Sequence, residues 1–327
     1  MSQFYVGIDI SKATFDVALL GGAQTARSQF ANDQSGFQKL AGWLQRQGAS
    51  QVHACLEATG RYWVELALFL HEQGHAISVV NPKLIKKHSE AIMQRNKTDR
   101  QDALTIADYC AKQQPDLWTP PTAAYRQLQE MVRHLYTLKG DRTRVSNRRQ
   151  SGLTSPQVLA LLEEQLALLD RQIEQLQARI AQHIDNDPQL KADKELLLTI
   201  PGIGQTTAAV FLAEVPDVTL FKSGDQVAAF AGLTPGQQLS GTSLRRPARL
   251  VKWGNAHLRT ALYMPALSAH RHNPIAAALR ERLLQRGKSK MTTVVAVMRK
   301  LLILCYGVLK TRKPFDPHHA HRGLAMA

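Results

Sequence analysis

The sequence predicts an α/β domain followed by all-α segments, and three observations carry that prediction. Short apolar strand patterns alternate with helical ones over the first 120 residues. Leucine and isoleucine then recur in a 3-4 rhythm from Leu159 to Ile180, and from Lys194 onward glycine-punctuated helical patterns prevail. The chain divides accordingly into a mixed-sheet domain at 1–122, a basic helix and coiled-coil segment at 123–188, and a helical domain with a helix-hairpin-helix motif at 189–327.

Phe4–Ile10 is a short apolar run that ends at Asp9. Thr14–Leu20 reads as a second strand and Ala26–Ala31 as a weaker third. Gly36–Gln47 carries Phe37, Leu40 and Leu44 at helical spacing. Val52–Leu56 is a buried-looking strand ended by Glu57, Tyr62–Gln73 a helix, and Ala76–Val80 another strand. Two hairpin-linked strands followed by strand–helix alternation imply a mixed sheet covered by helices. Asn81-Pro82 interrupts the alternation, Lys83–Ala91 and Arg100–Lys112 read as helices, and Pro115, Pro120 and Pro121 mark a boundary.

Ala123–Arg149 reads as a basic helix. After a Ser-Gly-Leu-Thr-Ser-Pro turn come Leu159, Leu162, Leu166, Leu169, Ile173, Leu176 and Ile180, a heptad seam. This predicts a coiled coil, within the chain or between chains, or else a helical hairpin on the preceding helix. Thr292–Leu309 is a strongly apolar helix expected in the core of the last domain.

The formal net charge is +15, which points to a polyanionic partner. It is unevenly distributed: +1 over 1–122, +1 over 123–188 and +13 over 189–327. The last third is therefore the expected surface for phosphate backbone, the bland alternative being a solvated basic face. Cys55, Cys110 and Cys305 lie far apart in apolar stretches, as buried free thiols do, and have no metal-ligand spacing. No secretory leader pattern opens the chain, and Arg299 and Lys300 interrupt the apolar stretch Val294–Leu309, so a cytoplasmic protein with no membrane span is expected.

Asp9 and Glu57 each end a strand. Were those strands neighbours, roughly 4.8 Å apart, two carboxylates would stand side by side and repel unless a cation bridged them. Asp99 and Asp102, three residues apart, share one face of a helical turn. Four carboxylates at one sheet edge would make an oxygen-rich site for Mg²⁺ or Mn²⁺, suited to phosphoryl transfer. Taken singly, Asp9 reads equally as a loop cap and Asp99 as a helix N-cap.

Ile200-Pro201-Gly202-Ile203-Gly204 between helical patterns has the form of a helix-hairpin-helix. Gly202 and Gly204 permit the tight turn, and the second helix would offer backbone N–H groups to a phosphate without reading bases. A plain helical hairpin is the alternative. Further on, Leu239-Ser240-Gly241-Thr242-Ser243 leads into Arg245, Arg246, Arg249 and Lys252. A serine beside guanidinium groups suits either a phosphate-binding loop or an activated nucleophile.

Gly7-Ile8-Asp9, Glu57-Ala58-Thr59-Gly60, Asn96-Lys97-Thr98-Asp99 with Asp102-Ala103, Ile200–Gly204, Ala229-Phe230-Ala231-Gly232-Leu233-Thr234-Pro235, Ser240-Gly241 and Ala261-Leu262-Tyr263-Met264-Pro265-Ala266 occur in this order. In that order and spacing they resemble the DEDD/serine transposases of bacterial insertion sequences, bridge-RNA-guided recombinases related to Piv-type invertases. The resemblance covers essentially the whole chain. It implies a RuvC-like, ribonuclease-H-type domain with Asp9, Glu57, Asp99 and Asp102 as the metal tetrad, and a helical transposase domain with Ser240 as nucleophile. It further implies a covalent serine–DNA linkage, donor and target double-stranded DNA selected by a non-coding guide RNA, and a tetramer built as a dimer of dimers with shared active sites. Family members often have Ser-Gly-Ser-Ser where this chain has Ser240-Gly241-Thr242-Ser243, which makes Ser243 a second candidate.

Three rival readings share parts of this pattern. A RuvC-like junction nuclease would use the tetrad and water without the serine. A sugar kinase of the actin-like fold also opens with Gly-Ile-Asp but needs further glycine-rich phosphate loops. A non-catalytic helix-hairpin-helix DNA binder leaves the tetrad unexplained.

Overall fold

A computed structural model describes residues 4–21, 25–58, 60–92, 99–240, 244–250 and 254–317, with the backbone alone at 99–100, 236–240 and 244–250. The chain forms two compact units, Met1–Pro120 and Pro121–Ala327.

The first unit is an α/β layer. Strands β1 (Phe4–Ile10), β2 (Thr14–Leu20) and β3 (Ala26–Ala31) pair antiparallel in succession. Helix α1 (Gln34–Arg46) leads to β4 (Val52–Glu57), and α2 (Val64–Glu72) to β5 (Ala76–Val80). β4 and β5 add in parallel, giving a mixed sheet of order β3-β2-β1-β4-β5 with β1 at its centre. Helices α3 (Pro82–Ala91) and α4 (Asp99–Gln113) complete the unit.

Side chains alternate across the sheet. Val6, Ile8 and Ile10 bury against Phe37 and Leu40 of α1 and Leu66 and Leu70 of α2. The opposite face carries Gly7, with Ala18 and Cys55 as its strand partners, and receives Ala103 and Ala107 of α4. A Cβ on Gly7 would come within 2.1 Å of the Ala103 carbonyl oxygen and 2.2 Å of the Ala107 nitrogen, so α4 rests directly on the strand backbone. Gly7→Val should therefore destabilise the protein by about 3 kcal/mol through overpacking, although valine is the better strand former. An unchanged urea midpoint would show that α4 does not depend on this contact.

The second unit opens with a helical hairpin of α5 (Ala123–Arg149) and α6 (Pro156–Asn186). Leu162, Leu169, Ile173 and Ile180 of the heptad seam bury in one core with Leu128, Val132, Leu135 and Leu138 of α5. The seam is thus covered within the chain, and its partner is the preceding helix. Exposed ion pairs of Arg142 with Asp170 and of Arg149 with Glu163 bridge the two antiparallel helices.

There follow α7 (Pro188–Leu198), α8 (Gln205–Glu214), a 3-10 turn (Val218–Leu220) and α9 (Gly224–Phe230). Next come β6 (Pro235–Ser240) and β7 (Leu244–Leu250), then α10 (Ala256–His272), α11 (Pro274–Gln285) and α12 (Lys290–Thr311). α8 is buried from Thr207 to Glu214 and forms the axis of this unit. Among the described residues α12 alone is long and apolar enough to cross a membrane. Its Val297, Leu301, Leu302 and Cys305 are core residues of the second unit. All three cysteines are free and buried, as expected, and burial pushes the Cys305 thiol up to about 12.

Candidate active site

β1 and β4 pair in parallel with Gly7 opposite Cys55 and Ile8 opposite Leu56, and the next step in that register sets Asp9 beside Glu57. α4 crosses the same sheet face in the reverse direction. Gln114, just beyond its end, donates from Nε2 to the Tyr5 hydroxyl at 3.0 Å, Cys110 Sγ donates to the His53 carbonyl at 3.5 Å, and Ala103 lies over Gly7. The first turn of α4, which holds Asp99 and Asp102, is therefore directed toward the Asp9 end of the strands. Asp9, Glu57 and Asp102 are half-buried, and the Asp99 side chain lies outside the described atoms.

A further carboxylate escapes the sequence reading. Asp16 on β2 stands directly opposite Asp9, is buried, and accepts a 2.9 Å hydrogen bond from Gln29 Nε2. Residues opposed in an antiparallel pair have Cα atoms about 4.5–5.5 Å apart, so Asp16 places a further carboxyl group beside Asp9. The signal was present: a tight turn between two seven-residue strands forces Asp9 and Asp16 into register.

Among the described residues no three His, Cys, Asp or Glu side chains are close enough to hold a metal together. The donors gathered at this end are all oxygen, the chemistry a hard divalent cation takes.

In the second unit, α7, the Ile200–Ile203 turn and α8 make the helical hairpin expected from the glycine pattern. Gly202 adopts φ +98°, and a Cβ there would lie 3.0 Å from the Ala269 Cβ, so this position requires glycine. Asn273 is buried, donates from Nδ2 to the Pro201 carbonyl at 3.1 Å and caps α11 with its Oδ1. Gly204 is the N-cap of α8 and has no side-chain cap; with Gln205 and Thr206 it is exposed, which leaves the first-turn amides at the surface.

The serine segment, expected as a loop, is a two-stranded hairpin. Ser240 ends β6 opposite Leu244, Leu239 stands opposite Arg245, Gln238 opposite Arg246, and Gly236 opposite Arg249. Ser243 and Lys252 lie outside the described residues.

The base of this hairpin is tightly held. Gly254 has φ +114°, and a Cβ there would come within 2.5 Å of the Gly232 nitrogen and the Phe230 oxygen. Asn255 N donates to the Phe230 carbonyl at 2.8 Å and Arg259 Nη1 to the Ala231 carbonyl at 2.9 Å. Arg299 donates from Nη1 to Thr234 Oγ1 at 3.0 Å and pairs with Asp225 at 2.8 Å. Beneath these contacts, buried Glu214 accepts two hydrogen bonds from Arg133, at 2.9 and 2.8 Å, and one from Asn255 Nδ2 at 2.6 Å. Burial alone would push the Glu214 carboxyl up; the Arg133 guanidinium and the Asn255 amide outweigh it and hold it below the ordinary carboxylate range. A carboxylate closing an apolar helix, Val-Phe-Leu-Ala-Glu, is the sequence trace of this anchor.

Known families match both units. Residues 6–157 match a transposase model of the IS110 DEDD type, and residues 194–281 match the model described as transposase of the IS116/IS110/IS902 family. The chain belongs to this family of transposases and is a DNA-recombining enzyme. The pilin gene-inverting protein of Moraxella bovis is 34% identical over 97% of this chain and 98% of its own length. Its counterpart in Moraxella lacunata is similar to the same extent. A probable family 20 transposase of Pseudomonas aeruginosa is 27% identical over 78% of this chain and 84% of its own.

Proposed function

We propose that this chain is an RNA-guided recombinase of an insertion sequence that cuts and rejoins donor and target DNA through a serine–DNA bond. Segment 1–122 acts as a RuvC-like, ribonuclease-H-type domain, 123–188 as a helical connector, and 189–327 as the transposase domain. Asp9, Glu57, Asp99 and Asp102 are the metal-binding acids and Ser240 the nucleophile. What supports this most is the convergence of Asp9, Glu57 and the first turn of α4 on one end of one sheet face, within a chain whose family acts on DNA.

The chemistry is an exchange of esters. Ser240 Oγ bonds to the scissile phosphorus as the bond from phosphorus to the deoxyribose oxygen breaks. The serine gives up its proton and the departing oxygen takes one. Rejoining reverses these steps with a new strand's hydroxyl, so phosphodiester energy is kept in the protein–DNA bond. Bound Mg²⁺ or Mn²⁺ would offset charge on the phosphoryl and departing oxygens. Arg245, Arg246, Arg249 and Lys252, with the amides following Gly202 and Gly204, hold the phosphate backbone near Ser240. The acids and the serine act on the same phosphodiester in the assembled oligomer, a tetramer built from dimers.

The test is capture of protein-linked DNA from denatured reactions of the wild-type chain, supplied with transcripts of its flanking element. The adduct should require both RNA and divalent metal. Cleavage without any adduct would favour a hydrolytic junction nuclease, and an adduct that forms without RNA would remove the guide from the mechanism.

A further inference from the structure

Many cations of the second unit have partners within the fold. On the α5–α6 hairpin Arg133 pairs with Glu214 of α8, Arg142 with Asp170, Arg144 with Asp141 and Arg149 with Glu163. At the end of α12, Arg312 pairs with Asp193, and Lys310 donates to the carbonyls of Thr219 and Phe221. The turn between α11 and α12 is different. Arg282, Arg286, Lys288 and Lys290 are exposed there, and among the described residues none of them makes an ion pair. Lys300, on α12, is equally unpaired and lines a groove of about 420 Å³ together with Arg282 over an apolar floor of Ile275, Ala278 and Leu279.

Acids are scarce in the nearby sequence. From residue 226 to residue 317 the chain contains two, Glu281 and Asp316, against sixteen lysines and arginines. Unpaired, solvated cations gathered on one element repel one another, and a polyanion relieves that repulsion. Lys290 and Lys300 are ten residues apart on one helix, about 15 Å along its axis, which matches the axial run of about four phosphates of one duplex strand. The matched family segment ends at residue 281, just before the first of these cations.

We infer that the α11–α12 turn, with Arg282, Arg286, Lys288, Lys290 and Lys300, is a second DNA-backbone surface in addition to the cations of the serine hairpin. It binds the phosphates of duplex DNA without regard to sequence. The substrate class follows from the family's action on DNA and does not depend on Ser240 being the nucleophile. Paired cations already have their counter-charge in the fold and displace few salt ions on binding; these five would displace one for each phosphate met.

The experiment compares the full-length protein with its Arg286→Gln/Lys288→Gln/Lys290→Gln variant, by fluorescence anisotropy on a random-sequence 30-bp duplex over a range of salt. The slope of log affinity against log salt should shrink by about 2–3, and binding near 0.15 M salt should weaken about tenfold to a hundredfold, alike for unrelated sequences. Arg142→Gln, which removes a paired cation, should leave the slope nearly unchanged. The melting temperature should stay within about 2 °C of wild type, since exposed unpaired cations add little to stability. An unchanged slope in the triple variant overturns the proposal, as does an equal loss per charge in Arg142→Gln. A loss confined to an RNA hairpin of equal length, with duplex binding intact, overturns the assignment to DNA. Ser240→Ala should keep the wild-type slope, so a failed adduct experiment counts against Ser240 alone.

Discussion

Asp9→Asn should reduce strand cleavage by about a thousandfold while the protein remains folded, and Asp102→Asn should do the same. The magnitude follows from the several kcal/mol that a metal ion contributes to charge stabilisation in phosphoryl transfer, at 1.36 kcal/mol per tenfold. The retained fold follows from position. Asp9 is half-buried near the end of β1, flanked in register by Asp16 and, one step beyond the Ile8–Leu56 pair of β1 and β4, by Glu57. An amide at residue 9 is isosteric with the carboxylate, so the packing of the strand end is kept. The two substitutions have a thermal signature as well as a kinetic one. Wild-type protein should gain a few degrees in melting temperature on adding Mg²⁺ or Mn²⁺, by mass action on the folded state. Asp9→Asn should gain little from metal. Full activity in either variant, full activity in excess chelator, or an undiminished metal-induced shift in Asp9→Asn would each exclude the tetrad as the metal site.

Which parts of this molecule were legible beforehand follows from the range of the interactions involved. β1, β2, β4 and β5 are written in local apolar runs such as Ala-Cys-Leu, and burial of both sheet faces makes them easy to read. Asp9 and Glu57 could be placed at strand ends for the same reason. Asp16 required the register as well as the strands. The heptad seam announced a buried stripe on α6, but periodicity does not name the covering surface. That surface is α5, whose buried Leu128, Val132, Leu135 and Leu138 recur three or four residues apart and so form a helical face of their own.

The serine hairpin was not legible as strands. Pro235, Gly236, Gln237 and Gln238 have little strand propensity, and Pro247 stands inside β7. A two-stranded ribbon consists of edges only, where proline is tolerated, and a register shift falls between Gly236 and Gln238. What forms it is contact from afar: Arg299 holds Thr234 from 65 residues away, and Glu214 holds Asn255 from 41. The charge of the last third was equally plain in the sequence, but which cations remain unpaired depends on such distant partners, as Arg133 and Glu214 show across 81 residues.

Ser240→Ala should bind RNA and duplex DNA within about twofold of wild type and form no covalent adduct, a loss of at least about 10⁴-fold. Binding should persist because the substitution removes only a hydroxyl. The backbone pairing of residue 240 with Leu244 does not need it, and the hairpin is fixed at its base by Gly254, Asn255, Arg259 and Arg299. Adduct formation should vanish because no other group at that position can form the ester to phosphorus, and activation by neighbouring guanidinium groups has nothing left to act on. Ser243→Ala is the necessary companion. It lies three residues further on, in the segment joining the two strands, and should retain at least part of the wild-type rate. Reactions on end-labelled DNA are denatured, the protein is separated by gel, and the residue that carries the label is mapped by mass spectrometry. Label on Ser240 in the wild type, reduced but present in Ser243→Ala and absent in Ser240→Ala, is the expected pattern. Label on Ser243, or an adduct formed by Ser240→Ala, would take the nucleophile away from Ser240 and leave it as a strand-end residue with no part in the covalent step.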